Sequence, residues 1–180
     1  MNRFVIISGC SGGGKSTLLA ELARRGHSVV EEPGRRIIDE QAAMDGSALP
    51  WIDLCAFARR AVAMALHDRA AAARMPGPVF FDRGLIDAAV ALEHAGGLPA
   101  VDVLCRVHRY HPLVFLTPPW PEIFVQDDGR RHGMADARAE YRRLVAACRL
   151  LGYRPFILPR LPVAARADIL LHRLSREDTQ

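Results

Sequence analysis

The stretch Gly9-Cys10-Ser11-Gly12-Gly13-Gly14-Lys15-Ser16-Thr17 follows a short apolar run and precedes a segment with a helical pattern. Its spacing is that of G-x-x-x-x-G-K-[ST], and a strand before it and a helix after it are the context in which this motif forms a phosphate-binding loop. Glycines let successive backbone N–H groups turn towards phosphate oxygens, and the helix N-terminus adds a partial positive charge. We therefore predict that residues 9–17 bind ATP, with Lys15 at the β- and γ-phosphates and the Ser16 hydroxyl on Mg²⁺.

Lys15 is the only lysine among the 180 residues, and every other basic side chain is arginine. Arginine replaces lysine readily on a solvated helix face. It does not replace lysine where a compact ammonium group must reach between phosphates. The single lysine stands at the position where that requirement is greatest.

Outward from the loop, apolar runs alternate with helical patterns along the whole chain. Predicted strands cover residues 4–8, 28–31, 79–82, 113–117 and 154–158. Predicted helices cover residues 16–25, 35–44, 50–74, 85–94, 101–109, 135–151 and 163–174. Such alternation requires crossover connections and hence a parallel sheet covered on both faces. We predict one α/β domain over residues 1–180, a three-layer P-loop NTPase fold with a five-stranded parallel sheet and a lid inserted after strand four, at residues 118–133.

An acidic residue, Asp82, ends the third predicted strand. Ligands of parallel α/β sheets bind at the carboxyl ends of the strands. Asp82 is therefore predicted to be the catalytic carboxylate on the Mg²⁺ side and, with Ser16, a metal ligand. The alternative is that Asp82 only caps the helix that follows.

Two carboxylates, Glu31 and Glu32, end the second predicted strand at the same edge of the sheet. One of them is predicted to act as a base towards an acceptor hydroxyl, and the sequence does not decide which. Pro33 turns the chain, so Arg35 and Arg36 are predicted to bind the substrate. The alternative is a solvated turn held by ion pairs.

Arginines are predicted to stabilise the charge of a transferring phosphoryl group. Arg131, in the lid, is the predicted catalytic arginine, and Arg83 and Arg130 are predicted to bind substrate. Arg138 and Arg142, on the next helix, are further candidates. For any single one of these arginines the alternative is a surface position.

Composition excludes several classes of protein. No apolar run reaches the length that spans a bilayer, and the N-terminus lacks a signal-peptide pattern, so we expect no membrane partner and a cytoplasmic location.

Four widely spaced cysteines without a C-x-x-C pair indicate neither a zinc site nor a disulfide framework. The histidines 108, 111 and 132 have no metal-binding spacing. A nucleic-acid partner rests only on the net charge of +4 and is disfavoured, because no basic block occurs. The oligomeric state stays open.

Five segments carry a resemblance to a known family: residues 8–17, 31–38, 81–84, 118–131 and 151–159. They resemble the small bacterial ATPases of the AAA domain family that are related to the nicotinamide riboside kinase module. This resemblance covers nearly the whole chain and implies ATP binding, while it names no substrate. The chain is too short for the additional helical domain of a ring-forming motor.

A more distant resemblance links the glycine loop, Glu32-Pro33 and Asp82-Arg83 to the deoxynucleoside and nucleoside kinases. It implies that Glu32 is a base on a sugar hydroxyl and that Asp82 and Arg83 contact phosphates. The chain departs from those kinases in carrying Gly84 where they usually carry Ser, and in having no Trp soon after Pro33.

Two functions follow as hypotheses. The first is a small-molecule kinase, nucleoside-like in its acceptor, that transfers the γ-phosphoryl group of ATP to an unidentified molecule. The alternative is a regulatory NTPase, a nucleotide-gated binding module with slow ATP hydrolysis and a protein partner. A GTPase is disfavoured because the chain has no N-K-x-D segment.

Overall fold

A computed structural model describes residues 2–96, 99–123 and 133–177. Its centre is a sheet of five parallel strands in the order β2-β3-β1-β4-β5. The strands are β1 Phe4–Gly9, β2 Ser28–Val30, β3 Val79–Asp82, β4 Leu113–Thr117 and β5 Arg154–Ile157. Every residue of β1, β3 and β4 is buried, as the continuous apolar runs of a sheet covered on both faces require.

Seven α-helices cover the sheet in the described part of the chain: α1 Lys15–Arg24, α2 Pro33–Ala43, α3 Leu54–Ala72, α4 Leu85–His94, α5 Ala100–Cys105, α6 Met134–Leu150 and α7 Val163–Glu177. Successive side chains of a strand point to opposite faces, so β1 contributes to two cores. Val5 and Ile7 pack with α1 and α7, whereas Ile6 packs with α2 to α6. This arrangement confirms the predicted three-layer α/β fold.

The predicted elements all occur; β3, β4 and α4 have the predicted ends, and the other elements have shifted ends. α3 begins at Leu54 rather than at residue 50 because the Asp53 side chain caps it, accepting a hydrogen bond from Ala56 N at 2.9 Å. α5 stops at Cys105 rather than at residue 109. The chain after it turns inward, where His111 N donates to Phe4 O at 2.7 Å.

The predicted lid is described only in part. After β4 the chain forms a short 3₁₀-helix, Pro121–Ile123, and residues 124–132 lie outside the described residues. No helix within residues 2–96, 99–123 and 133–177 is long and apolar enough to cross a membrane.

Candidate functional site

The glycine loop connects β1 to α1 at the carboxyl edge of the sheet. Its first residue, Gly9, has φ 120° and lies against β4, where a Cβ atom would stand 2.3 Å from Thr117 O. Cys10 N donates to the same carbonyl at 3.0 Å. Only glycine allows both this backbone conformation and this close approach, so the loop is seated on the end of β4.

Lys15 opens α1 and is only 6% exposed. Its Nζ donates to Cys10 O at 3.0 Å, so the ammonium group is folded into the loop. Burial lowers the pKa of Lys15 and the nearby Arg83 charge adds to the effect, while Asp82 and Glu32 oppose it. An anion bound in the loop would stabilise the charged form of Lys15 against the effect of burial.

Ser16 and Asp82 meet where β3 ends beside α1. The Ser16 hydroxyl donates to Asp82 Oδ2 at 2.9 Å, while the other carboxylate oxygen, Oδ1, is buried without a hydrogen-bond partner among the described residues. Burial raises the pKa of Asp82, and the Lys15 charge acts against this rise. A hydroxyl and a carboxylate with an unused oxygen fit Mg²⁺, which is commonly held by one or two protein oxygens plus water and phosphate. The described residues contain no cluster of three or more His, Cys, Asp or Glu side chains that could hold a metal without a substrate.

Arg83, next to Asp82, is the centre of an ion-pair network. Its Nε lies 3.0 Å from Glu32 Oε1, and its Nη1 lies 2.7 Å from Glu140 Oε1 and 3.3 Å from Asp87 Oδ1. Burial opposes its charge, yet these carboxylates raise the pKa of Arg83 well above its ordinary value. The residue has φ 61°, an uncommon backbone conformation outside glycine that often marks functional sites.

Asp87 anchors this network from α4. It accepts hydrogen bonds from the Ser8 hydroxyl and from Gly84 N, so both of its oxygens are engaged. Burial raises its pKa, and Arg83 and Ser8 counteract the rise. The network is thereby tied to β1, next to the glycine loop.

Two cavities meet at this site. The smaller, about 450 Å³, lies over the glycine loop and is also lined by Trp120, Ile123 and the segment 161–163. The larger, about 1130 Å³, lies between α2, α3, α4 and α6 and contains Arg83, Asp87 and Glu140. Glu32 and Ser11 line both cavities. A group bound in either cavity therefore reaches the same carboxylate.

The two predicted carboxylates are separated by the structure. Glu32 lies between the cavities, whereas Glu31 is exposed and lines neither of them. β2 ends at Val30 and α2 begins at Pro33, so Glu32 is the residue that leads directly into the helix.

The predicted arginines also have different positions. Arg35 and Arg83 line the larger cavity, but Arg36 is paired with Asp68 of α3 and lines neither cavity. Arg138 and Arg142 are exposed on α6. Arg130 and Arg131 lie outside the described residues.

Six charged cavity residues were not predicted as site residues from the sequence: Asp39, Asp87, Asp136, Glu140, Arg143 and Arg166. Glu140 and Arg143 share one face of α6 with Asp136 and Ala139, at helical spacing. That spacing was the available signal, but the sequence alone did not indicate which face of α6 meets the cavity.

A family model described as an AAA domain matches residues 4–166. The chain belongs to this AAA domain family. Membership puts it in the P-loop ATPase class. This confirms the predicted relation to the AAA domain ATPases and the prediction of an ATP-dependent phosphotransferase or ATPase. No curated protein sequence gives a significant match.

Solved kinase structures share the fold. A deoxyadenosine kinase from M. mycoides with bound dATP has TM-score 0.59 and 16% identity, covering 96% of this chain and 99% of that one. A shikimate kinase from Acinetobacter baumannii in complex with shikimate has TM-score 0.63 and 13% identity, covering 100% and 97%. A NadR protein in complex with NR has TM-score 0.66 and 22% identity, covering 87% of this chain but only 45% of that one. The fold is thus of the kinase-like P-loop type.

Proposed function

We propose that this protein is a small-molecule kinase that transfers the γ-phosphoryl group of ATP to a hydroxyl group of a molecule bound in the larger cavity. The observation that carries the proposal is the position of Glu32, which lines both cavities and is the only carboxylate to do so among the described residues. A nucleotide-gated switch needs no second cavity that opens onto the phosphate loop. In this proposal a single domain over residues 1–180 carries out the transfer, and its ATP is that of the cytoplasm.

On the nucleotide side, the loop amides and Lys15 would hold the phosphates. Charge on the transferring group is spread over its equatorial oxygens, and fixed N–H dipoles with a buried cation stabilise it without rearrangement. Trp120, Ile123 and Leu161 offer an apolar wall for the base. Ser16 and Asp82 would hold Mg²⁺. Magnesium held by these two residues would supply positive charge to offset the negative charge that develops on the phosphate oxygens.

On the acceptor side, Glu32 would accept the proton of the acceptor hydroxyl as its oxygen attacks the γ-phosphorus and the bond to the β-phosphate oxygen breaks. Its side chain is 27% exposed, so it is reachable from the cavity. Arg83 would orient Glu32, since its guanidinium is fixed by three carboxylates.

The larger cavity favours a nucleoside-like acceptor over a small sugar. Its volume of about 1130 Å³ lies slightly above the 300–1,000 Å³ usual for ligand pockets. Trp51, Phe57 and Leu49 form an apolar side that suits a flat ring, whereas Glu32 and Arg83 lie at the polar end.

We expect ADP release from Mg-ATP to depend on the acceptor. The assay measures ADP with each of a panel of nucleosides, nicotinamide riboside and small sugars, and mass spectrometry identifies a phosphorylated product. Stimulation by one class of acceptor with formation of its phosphate supports the kinase. Slow turnover that no acceptor changes would contradict it and would favour the nucleotide-gated module with a protein partner.

Asp82→Asn is expected to raise the Mg²⁺ concentration for half-maximal ATP turnover about 10- to 100-fold. Asn keeps the shape and can still accept from Ser16, but it removes the negative charge and the second anionic oxygen. The measurement is a Mg²⁺ titration at saturating ATP, with Asp45→Asn, at an exposed position that lines neither cavity, as control. An unchanged Mg²⁺ requirement would mean that Asp82 does not hold the metal ion.

A further inference from the structure

Arg166 is a buried cation beside the glycine loop. It lies in the first turn of α7 and is 4% exposed. It lines the smaller cavity over the glycine loop, which is called the nucleotide cavity below. Its Nη1 lies 3.3 Å from both Gly13 O and Gly14 O and donates to these carbonyls. A Cβ atom at Gly14 would stand 3.0 Å from Nη2, so glycine at this position lets the guanidinium approach the loop.

Arg166 forms no ion pair within the described part of the chain, and its Nε is buried there without a hydrogen-bond partner. Burial lowers the pKa of Arg166. A cation in the first turn of a helix is also opposed by the helix dipole. Such a group destabilises the free protein unless an anion joins it.

Trp120 connects Arg166 to the chain segment that precedes residues 124–132. The Arg166 guanidinium lies 5.4 Å from the centroid of the indole ring, within the range of a cation–π contact. Trp120 itself lines the nucleotide cavity. A change at the guanidinium therefore alters the surroundings of Trp120, which is the only tryptophan at this cavity among the described residues.

We propose that Arg166 is a phosphate-binding residue of the nucleotide site. Its guanidinium is held by the carbonyls of Gly13 and Gly14, is covered by Trp120, and donates to a phosphate oxygen of the bound nucleotide. This role rests on the proposed function only in requiring that a nucleotide binds the glycine loop. It does not depend on any transfer to an acceptor.

The test compares the full chain with Arg166→Met, which keeps the apolar stem and removes the charge. ATP, inorganic tripolyphosphate and adenosine are titrated by calorimetry. We expect the Kd of ATP and of tripolyphosphate to rise about 10- to 100-fold, as for loss of a charge-assisted hydrogen bond, with the adenosine Kd unchanged. We also expect the ligand-free variant to melt no lower than the wild type, because an unpaired buried charge is lost.

Arg173→Met is the matched control. Arg173 is on the same helix and lies 4.9 Å from the Phe156 ring, but it is exposed and does not line the nucleotide cavity. Its substitution should leave all three affinities unchanged. Tripolyphosphate binding that is equal in Arg166→Met and wild type, or an equal loss for tripolyphosphate and adenosine, would overturn the proposal in favour of a purely structural role.

A second measurement does not depend on the folding of Arg166→Met. Trp51 and Trp120 are the two tryptophans of the chain, so Trp51→Phe makes Trp120 the single emitter. Tripolyphosphate has no ring that could stack on an indole, so an emission change on binding reports a phosphate beside the pair formed by Arg166 and Trp120. Binding without an emission change would overturn the proposal. If the wild type bound neither ATP nor tripolyphosphate, the kinase proposal would be contradicted together with the role of Arg166. If the wild type bound both and Arg166→Met bound them equally well, only the role of Arg166 would be contradicted.

Discussion

Glu32→Gln is expected to lower the rate of acceptor-dependent phosphoryl transfer about 100- to 10,000-fold while the Kd of ATP stays within a few-fold. Gln has nearly the same shape as Glu, and the ion pairs of the Arg83 guanidinium with Asp87 and Glu140 remain. It cannot take the proton of an acceptor hydroxyl. The measurement is single-turnover formation of the phosphorylated acceptor, beside ATP binding by calorimetry.

Glu31→Gln provides the matched control. It makes the same chemical change one residue earlier, at an exposed position that lines neither cavity. Both the rate of phosphoryl transfer and the Kd of ATP should then equal those of the wild type. If Glu32→Gln transferred phosphate at the wild-type rate, proton removal by Glu32 would be excluded. If it lost ATP binding together with transfer, Glu32 would act in nucleotide binding rather than as an acceptor-side base.

The choice between Glu31 and Glu32 illustrates what sequence could not resolve. Both residues follow the same apolar run, and the end of a strand is uncertain by a few residues. The decision comes from β2 ending at Val30 and α2 starting with Pro33, which leaves Glu32 at the helix entrance facing the glycine loop. Such one-residue differences depend on how the strand pairs with its neighbour, here β3.

The glycine loop and Asp82 were predictable because their signals are local. The loop is contiguous, and Asp82 directly ends a strand whose register next to β1 brings it to the same edge of the sheet. The fold followed from the alternation of strands and helices for the same reason. Each of these predictions needs only a few neighbouring residues and a general rule of parallel sheets.

Arg166 and Glu140 were not predictable because their signals are not local. Arg166 reaches the carbonyl of Gly13 from 153 positions later in the chain, through the packing of α7 on α1. Glu140 meets Arg83 across 57 positions, and its role depends on the rotation of α6 about its axis. A helix with polar residues on several faces leaves that rotation undecided until its buried residues, such as Ala137 and Leu144, are known.

Lys15→Arg is expected to lower kcat/KM for ATP about 100- to 1,000-fold, although the formal charge is kept. The ammonium group lies inside a loop with no room to expand, because Gly13 N donates to Cys10 O at 3.1 Å and a Cβ at Gly13 would already stand 2.6 Å from Thr117 Oγ1. A planar guanidinium with five donors cannot take the place of one compact ammonium there.

The control for Lys15→Arg is the reverse exchange on the same helix. Arg24 ends α1 with its side chain 72% exposed and is paired only with Glu21 among the described residues, so Arg24→Lys should leave both turnover and stability unchanged. ATP turnover and the increase in melting temperature on adding Mg-ATP are measured for both variants. If Lys15→Arg kept near wild-type turnover, the charge alone would suffice in the loop. The survival of a single lysine at this position would then have no explanation in phosphate binding. A large loss at Lys15 beside a neutral exchange at Arg24 would instead tie that lysine to the geometry of the loop, since the two variants differ in surroundings and not in charge.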